Sequence, residues 1–205
     1  MIERLAEKQD TKSRILDVAE KLFAMNGFKP TSLRDITAEA QVNLAAVNYH
    51  FQSKDSLIDA VIARRIEPVN RRRLQMLDAL GPDATLEQIL TAFLAPVLEL
   101  PVESVPLMGR MMSEPDLFME RVYRKHLRPL AVRFHDQLSK VLPDLPAPER
   151  LWRLYFTAGV MTHVLTWSSV LPEMSGGMCN IADRQALLHR VVSFVAAGFR
   201  QESKG

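Results

Sequence analysis

The stretch TSLRDITAEAQVNLAAVNYHFQSK, residues 31–54, decides the fold. Ser32 with Asp35 three residues later has the pattern of a capping box, so it predicts the start of a short helix, with Thr31 as the alternative cap. Asn43 is a good cap for a second short helix. Helices of about two turns are unstable alone and must pack on neighbours. The pair indicates a helix-turn-helix, although an ordinary helical hairpin has the same periodicity.

Segments on both sides can supply that packing. The apolar spacing over residues 11–26 predicts a helix that ends at Gly27, because glycine adopts a left-handed stop at least cost. Ser53 is placed to cap a further helix. Pro68 should break this helix, since proline cannot donate the backbone hydrogen bond that a helix needs. We therefore expect a compact helical module at the N-terminus.

The remainder of the chain also shows helical signals. We expect helices over about 86–98 after a Thr85–Gln88 capping box, 107–112, 115–141 with a kink at Pro129, 149–171 and 180–200. No segment has the alternation of a strand. The predicted fold class is all-α.

Composition and charge exclude several classes of protein. The net charge is +2, and residues 1–52 carry seven basic and seven acidic residues, so bulk charge gives no argument for nucleic acid. The single cysteine, Cys179, fits a reducing cytosol and excludes a multi-cysteine zinc site. The first ten residues are charged and lack an apolar core, so we expect no secretion signal. The uncharged stretch 154–172 contains several hydroxyl residues, so we interpret it as a buried helix and expect no membrane span.

Catalytic patterns are also lacking. The five histidines are scattered without a metal-binding pair, and there is no phosphate-binding glycine loop or nucleophile elbow. We therefore expect no catalytic residue, no metal and no cofactor. An enzyme and a helical adaptor that has lost DNA binding are the alternatives to a DNA-binding protein.

The residues themselves resemble a known family. The strings TSLRDI at 31–36, AQV at 40–42 and VNYHFQSK at 47–54, with AEKLF at 19–23, are similar to the tetracycline-repressor family of bacterial regulators. The resemblance implies an N-terminal three-helix helix-turn-helix DNA-binding domain, residues 1–52. A larger helical ligand-binding and dimerisation domain follows at 53–205, with the helix from Ser53 linking the two. Gln41 replaces the usual glycine of the turn, and Asn48 replaces a frequent tyrosine.

The family geometry assigns candidate DNA contacts. The second short helix would enter the major groove, where Asn48 can bond adenine bidentately and Arg34 can reach guanine. The candidates for base contact on that helix are Asn43, Leu44, Ala45, Ala46, Asn48 and Tyr49. The candidates for phosphate contact are Thr31 or Ser32, Tyr49, His50 and Lys54. His50 is equally consistent with a buried core histidine.

The C-terminal half carries the predicted regulation. Apolar residues of the last two helices spread beyond one face, which favours a homodimer through these helices over a monomer core. Arg71, Arg72 and Arg73 are interpreted as a solvated helix face. Methionines and aromatics of the middle helices are candidates for a ligand pocket or for plain core: Phe93, Met108, Met111, Met112, Phe118, Tyr123, His163 and Trp167.

These observations predict a cytoplasmic repressor. It would bind a palindromic operator as a dimer, and a small, largely apolar effector would release it by a population shift. Residues 42–51 also resemble regulators of fatty-acid metabolism within the family, so fatty-acid-related effectors are one candidate class.

Overall fold

A computed structural model describes residues 2–101, 104–112 and 116–202, with the backbone alone described at 2–9, 112, 116 and 117. The described residues are helical and contain no strand, which confirms the all-α fold class. The helices are α1 (Ile2–Asn26), α2 (Leu33–Glu39), α3 (Leu44–Phe51), α4 (Lys54–Asp78), α5 (Leu86–Leu98), α6 (Val105–Met112), α7 (Asp116–Val122), α8 (Arg128–Val141), α9 (Ala147–Trp167), α10 (Leu171–Met174) and α11 (Arg184–Arg200).

Side-chain caps fix the helix starts that the sequence predicts. The Ser32 hydroxyl accepts from the backbone N–H of Asp35 at 3.1 Å, and the Asp35 carboxylate accepts from the Ser32 backbone N–H at 2.8 Å. Asn43 Oδ1 accepts from the Ala46 N–H at 2.8 Å at the start of α3. The Thr85 box that opens α5 is present as well. These caps satisfy backbone donors that would otherwise lack partners.

The prediction that Pro68 breaks the fourth helix is wrong. Helix α4 continues through Pro68 to Asp78. A proline inside a helix removes one backbone hydrogen bond, and that cost can be offset when both flanks are packed. Leu57 and Ile66 are buried before the proline, and Leu77 is buried after it.

The prediction of one kinked helix over 115–141 is also wrong in detail. A π-helical segment, Tyr123–Leu127, separates α7 from α8, and Pro129 is the second residue of α8. Proline is compatible with a first turn, where its missing N–H has no intrahelical acceptor. The chain therefore accommodates Pro129 by starting a new helix. The expected start at Pro115 lies outside the described residues.

The helices form two compact units. Unit 1 comprises Met1–Glu67 and Pro106–Val122, and unit 2 comprises Pro68–Val105 and Tyr123–Gly205. Helix α4 contributes residues to both. The predicted domain boundary after residue 52 follows the motif, whereas packing also assigns α6, α7 and the first half of α4 to unit 1. Within the described ranges, no helix is long and apolar enough to cross a membrane.

Candidate nucleic-acid interface

The turn between α2 and α3 brings the two short helices together. Gln41 has φ of 51°, the left-handed conformation that the usual glycine would adopt more cheaply. The Val42 N–H donates to the Thr37 carbonyl at 3.0 Å, which closes the turn. Ala40 is 2% exposed, so its small side chain lies in the packed junction between the helices. The module is therefore a closed helix-turn-helix despite the glutamine.

Helix α3 has one buried face and one exposed face. Val47 and Phe51 are buried in the core of unit 1. Ala45 and Asn48 are exposed, as are the large side chains of Leu44 (46%) and Tyr49 (65%). Ala46 is half-buried. The exposed face presents an amide beside apolar groups, the chemistry that reads adenine edges and thymine methyl groups.

Asn43 is largely committed to the fold. Its Oδ1 caps α3 through the Ala46 N–H, so only the amide NH2 is left as a donor to a base or a phosphate. Asn43 and Asn48 therefore cannot play the same role, and Asn48 is the residue suited to a bidentate contact.

Ser32 and Arg34 lie at the start of α2. The Ser32 hydroxyl belongs to the capping box and is also 2.7 Å from the Asp35 carboxylate. The hydrogen bonds that the Asp35 carboxylate accepts lower the pKa of Asp35. The bond from the Ser32 backbone N–H has the larger effect, and the bond from the Ser32 hydroxyl has the smaller one. Arg34 is exposed, and its side chain forms no ion pair with any described residue. It can extend toward a base edge or a phosphate.

Thr31 is a correction to the predicted phosphate contacts. Its side chain is buried, with 2% of its surface exposed, and its hydroxyl donates to the Gly27 carbonyl at 2.8 Å. A second acceptor, the Leu22 carbonyl, lies at 3.3 Å. The hydroxyl joins the end of α1 to the start of α2, so it is not presented to DNA.

Lys54 is half-buried at the start of α4, and its ammonium donates to the Lys29 carbonyl at 2.9 Å. Lys54 also contributes to the lowered pKa of Asp35, which places it near the start of α2. An ammonium has three donors, so two remain for a phosphate. This contact holds the Lys54 side chain against the backbone segment that precedes α2.

His50 has an intermediate position. Its side chain is half-buried, and its ring meets Tyr49 edge-on at 5.1 Å between centroids. A phosphate contact by its exposed part stays a prediction.

The predicted ligand-pocket residues are divided between the two units. Met111 is buried in unit 1, where Phe118 packs on Phe28 at 5.1 Å between ring centroids. Met108 of the same unit is half-buried, and the side chain of Met112 lies outside the described part.

The remaining pocket residues belong to unit 2. Phe93 is buried and packs edge-on against Phe134 at 5.1 Å. Tyr123 is 46% exposed. Trp167 is 59% exposed and stacks on His163, which is also exposed. The exposure of Tyr123, His163 and Trp167 does not fit the plain-core alternative, and their role in a ligand pocket stays a prediction.

Arg73 is the other correction. Arg71 and Arg72 are exposed as predicted, but Arg73 is 4% exposed. Its Nε donates to the Phe93 carbonyl at 2.7 Å, and its guanidinium carbon lies 4.3 Å from the centre of the Phe93 ring. Burial lowers the pKa of Arg73 to about 9. A run of like charges therefore contains one core residue.

Helix α9 carries an exposed aromatic face, and α11 has one exposed aromatic side chain. On α9 the exposed side chains include Trp152 (57%), Tyr155 (69%) and Phe156 (58%), and Trp152 stacks on Phe156. On α11 Phe194 is 70% exposed, whereas Val191, Val195 and Phe199 of the opposite face are buried. Such aromatic surface on adjacent helices is typical of an interface.

A helix-turn-helix with an exposed reading helix, joined to a second helical unit, defines a DNA-binding transcriptional regulator. Residues 15–61 match the family described as "Bacterial regulatory proteins, tetR family", and residues 91–198 match "Tetracyclin repressor-like, C-terminal domain". The chain belongs to the tetracycline-repressor (TetR) family.

Individual relatives agree with this assignment. The chain is 31% identical over 85 residues to the HTH-type transcriptional repressor KstR2 of Rhodococcus jostii, a match over 41% of this chain and 42% of that protein. The chain spans about two-fifths of the length of the curated relatives it matches.

Solved structures share the fold over most of the chain. FadR of Bacillus subtilis in complex with stearoyl-CoA has a TM-score of 0.68 and 15% identity, over 91% of this chain and 98% of that one. A TetR-family regulator of Bordetella parapertussis has a TM-score of 0.66 and 18% identity, over 95% of this chain and 98% of that one.

Proposed function

We propose that the protein is a repressor that binds a palindromic operator as a homodimer and is released by a small, largely apolar effector. The observation that carries the proposal is the exposed face of α3, where Asn48 lies between Leu44 and Tyr49. This face presents an amide beside apolar groups, and that chemistry suits a major groove. The proposed site of action is the cytoplasm.

The phosphate contacts in this proposal come from the edges of the module. Lys54 has two donors left for a phosphate, and Arg34 extends from α2. Many other cations of unit 1 are engaged in ion pairs, such as Lys21 with Glu39 at 3.0 Å. The salt dependence of binding should therefore be moderate and set by few phosphates per half-site.

Dimerisation is required because one such module makes few contacts. The exposed aromatic face of α9 and the exposed Phe194 of α11 support a four-helix interface with the same helices of a second copy. Two reading helices about 34 Å apart would then occupy successive major grooves. His163 and Trp167, which are exposed on α9, would be covered by this dimer.

The proposed regulation is a population shift. An effector bound within unit 2 would favour a dimer whose reading helices are wrongly spaced for two successive grooves. Helix α4 is the candidate link, because its first half belongs to unit 1 and its second half to unit 2. The repressor activity of KstR2 and the stearoyl-CoA bound to FadR support repression and an apolar effector by analogy.

Selection of binding sites from random duplex DNA tests the proposal. The purified full-length protein should enrich a palindrome whose half-sites are separated by about one helical turn. Enrichment of single half-sites would contradict the dimer, and no enrichment at low salt would favour the adaptor alternative.

A further inference from the structure

The core of unit 2 contains a cation with no acidic partner. Arg73 of α4 is 4% exposed, and no described carboxylate forms a salt bridge with it. Its contacts are the Phe93 carbonyl of α5 at 2.7 Å, the Met161 sulfur of α9 at 3.0 Å and the Asn70 amide oxygen at 3.4 Å. All three acceptors are neutral. Burying an uncompensated charge is costly, so its presence calls for an explanation.

The guanidinium also has spare donors. It carries five N–H groups, of which three are assigned to these contacts. The Nε bond to Phe93 is short and ties Arg73 to α5, whereas the bond from Nη1 to Asn70 is long and a thioether is a weak acceptor. The Nη1 and Nη2 groups are therefore the part of Arg73 that can donate hydrogen bonds to an oxyanion.

The residues that contact Nη1 and Nη2 can move to admit a ligand. Met161 has a flexible side chain that can move without breaking a helix. Asn70 also donates to the His126 carbonyl at 2.7 Å, and His126 lies in the π-helical segment Tyr123–Leu127. Short π segments occur frequently at functional sites. The irregular backbone and the buried cation thus lie at the same place in unit 2.

The Arg73 guanidinium also lies beside apolar groups. The guanidinium stacks on the Phe93 ring at 4.3 Å, and Phe93 belongs to the apolar core that includes Phe134 and Met161. A ligand that reaches Arg73 must therefore combine an apolar body with an anionic end.

We infer that Arg73 binds the carboxylate or phosphate oxyanion of an amphipathic effector, whose apolar tail packs in the core of unit 2. This inference rests on the proposed function, because it names the chemical class of the effector. The planar fork of arginine suits a bidentate contact with either group. Displacement of Met161 would act directly on α9, which carries the proposed dimer face.

The test compares three probes with nearly equal apolar tails: palmitate, hexadecyl phosphate and methyl palmitate, each below its critical micelle concentration. Affinities are measured by calorimetry on the full-length protein and on Arg73→Met. Arg72→Met is the matched control, because Arg72 is the exposed neighbour on the same helix.

At least one anionic probe should bind the wild-type protein about tenfold to a hundredfold more tightly than the ester, as expected for a charge-assisted contact. Arg73→Met should remove this preference, whereas Arg72→Met should keep it. Preference for palmitate or for hexadecyl phosphate identifies the anion. Arg73→Lys keeps the positive charge but loses the planar guanidinium, so it should retain a reduced preference for the anionic probes. This variant tests the inference if Arg73→Met does not fold.

Equal binding of acid and ester, or an acid preference that survives in Arg73→Met, would overturn the inference. If methyl palmitate alone releases the selected operator, the inference fails while the ligand-responsive repressor stands. If no probe binds while operator selection succeeds, the inference and the apolar effector both fail, but DNA binding stands.

Discussion

Replacing Thr31 with valine tests whether this residue belongs to the fold or to the DNA contact. Valine keeps the shape of the buried side chain and removes the hydroxyl that donates to the Gly27 carbonyl. A net hydrogen bond contributes about 1 kcal/mol, and a buried acceptor left without its donor adds to the loss. We expect the free energy of unfolding to fall by about 1–2 kcal/mol, which lowers Tm by roughly 3–6 °C for a chain of this size.

The assay is urea denaturation followed by circular dichroism at one fixed protein concentration, since the stability of a dimer depends on concentration. Thr37→Val is the matched control, because the Thr37 hydroxyl donates to the nearby Arg34 carbonyl at an exposed position. The control should change stability by less than about 0.5 kcal/mol. Unchanged stability of Thr31→Val, with a salt slope of DNA binding reduced by about one, would refute the structural role and restore a phosphate contact.

Three further predictions follow from the geometry. The pKa of Asp35 is lowered by the Ser32 N–H and hydroxyl, so its stabilising effect is present above its ordinary pKa of 3.8 and is lost as the pH falls through the lowered value. Acid titration of the unfolding free energy should show this loss, and Asp35→Asn should remove it. Gln41→Gly should stabilise the protein by up to about 1 kcal/mol in urea denaturation, because φ of 51° costs glycine little. Phe194→Glu should give monomers by light scattering and weaken operator binding, because Phe194 is 70% exposed on the proposed dimer face.

Different results would contradict these three predictions. An acid titration that is identical in Asp35→Asn would exclude the capping box as its source. For the turn, Gln41→Ala is the control, since alanine meets the same steric cost as glutamine at positive φ; an equal gain from alanine would exclude the backbone explanation. Val132→Glu is the control for the dimer, because Val132 is 51% exposed on α8. Monomers from Val132→Glu, or dimers from Phe194→Glu, would point to another interface.

Local motifs were the most predictable part of this fold. The caps at Ser32, Asn43 and Thr85 were predicted because a capping hydrogen bond joins residues two or three apart, so both partners appear in one short stretch. The helix end at Gly27 follows from the same local logic, and its φ of 89° confirms it. These signals, with the family resemblance, were enough to place the reading helix.

Long-range packing was not predictable from spacing. Pro68 was expected to break a helix that continues, because the stabilisation of α4 comes from residues packed on both sides of the proline. Arg73 was expected in solvent, because a run of three arginines gives no sign of which one faces the core. Its acceptors, Phe93 and Met161, come from distant parts of the sequence.

The candidate site likewise contains residues that are predictable from local sequence and residues that only long-range contacts place. The exposure of Asn48 and Tyr49 agrees with helix periodicity, because Val47 and Phe51 occupy the buried face of α3. Thr31 was placed among the phosphate contacts because a hydroxyl beside a helix start suits both a cap and a phosphate. In the structure Thr31 has neither role, because its hydroxyl donates to the Gly27 carbonyl and Ser32 is the cap.

The candidate ligand-pocket residues could not be separated from core or dimer-face residues for a related reason. Methionines and aromatics are equally suited to a core, a pocket and a dimer face, and composition cannot separate these environments. In the structure Met111 is core, whereas Trp167 is exposed on α9.

The most direct test of the account is to repeat the operator selection with Asn48→Ala and, as the matched control, with Asn180→Ala, an exposed asparagine of unit 2. The account predicts that Asn48→Ala loses base preference at one position, symmetrically in both half-sites, with a cost of about 1–3 kcal/mol per contact. Asn180→Ala should select the wild-type palindrome. An unchanged palindrome from Asn48→Ala would contradict the proposed reading face of α3.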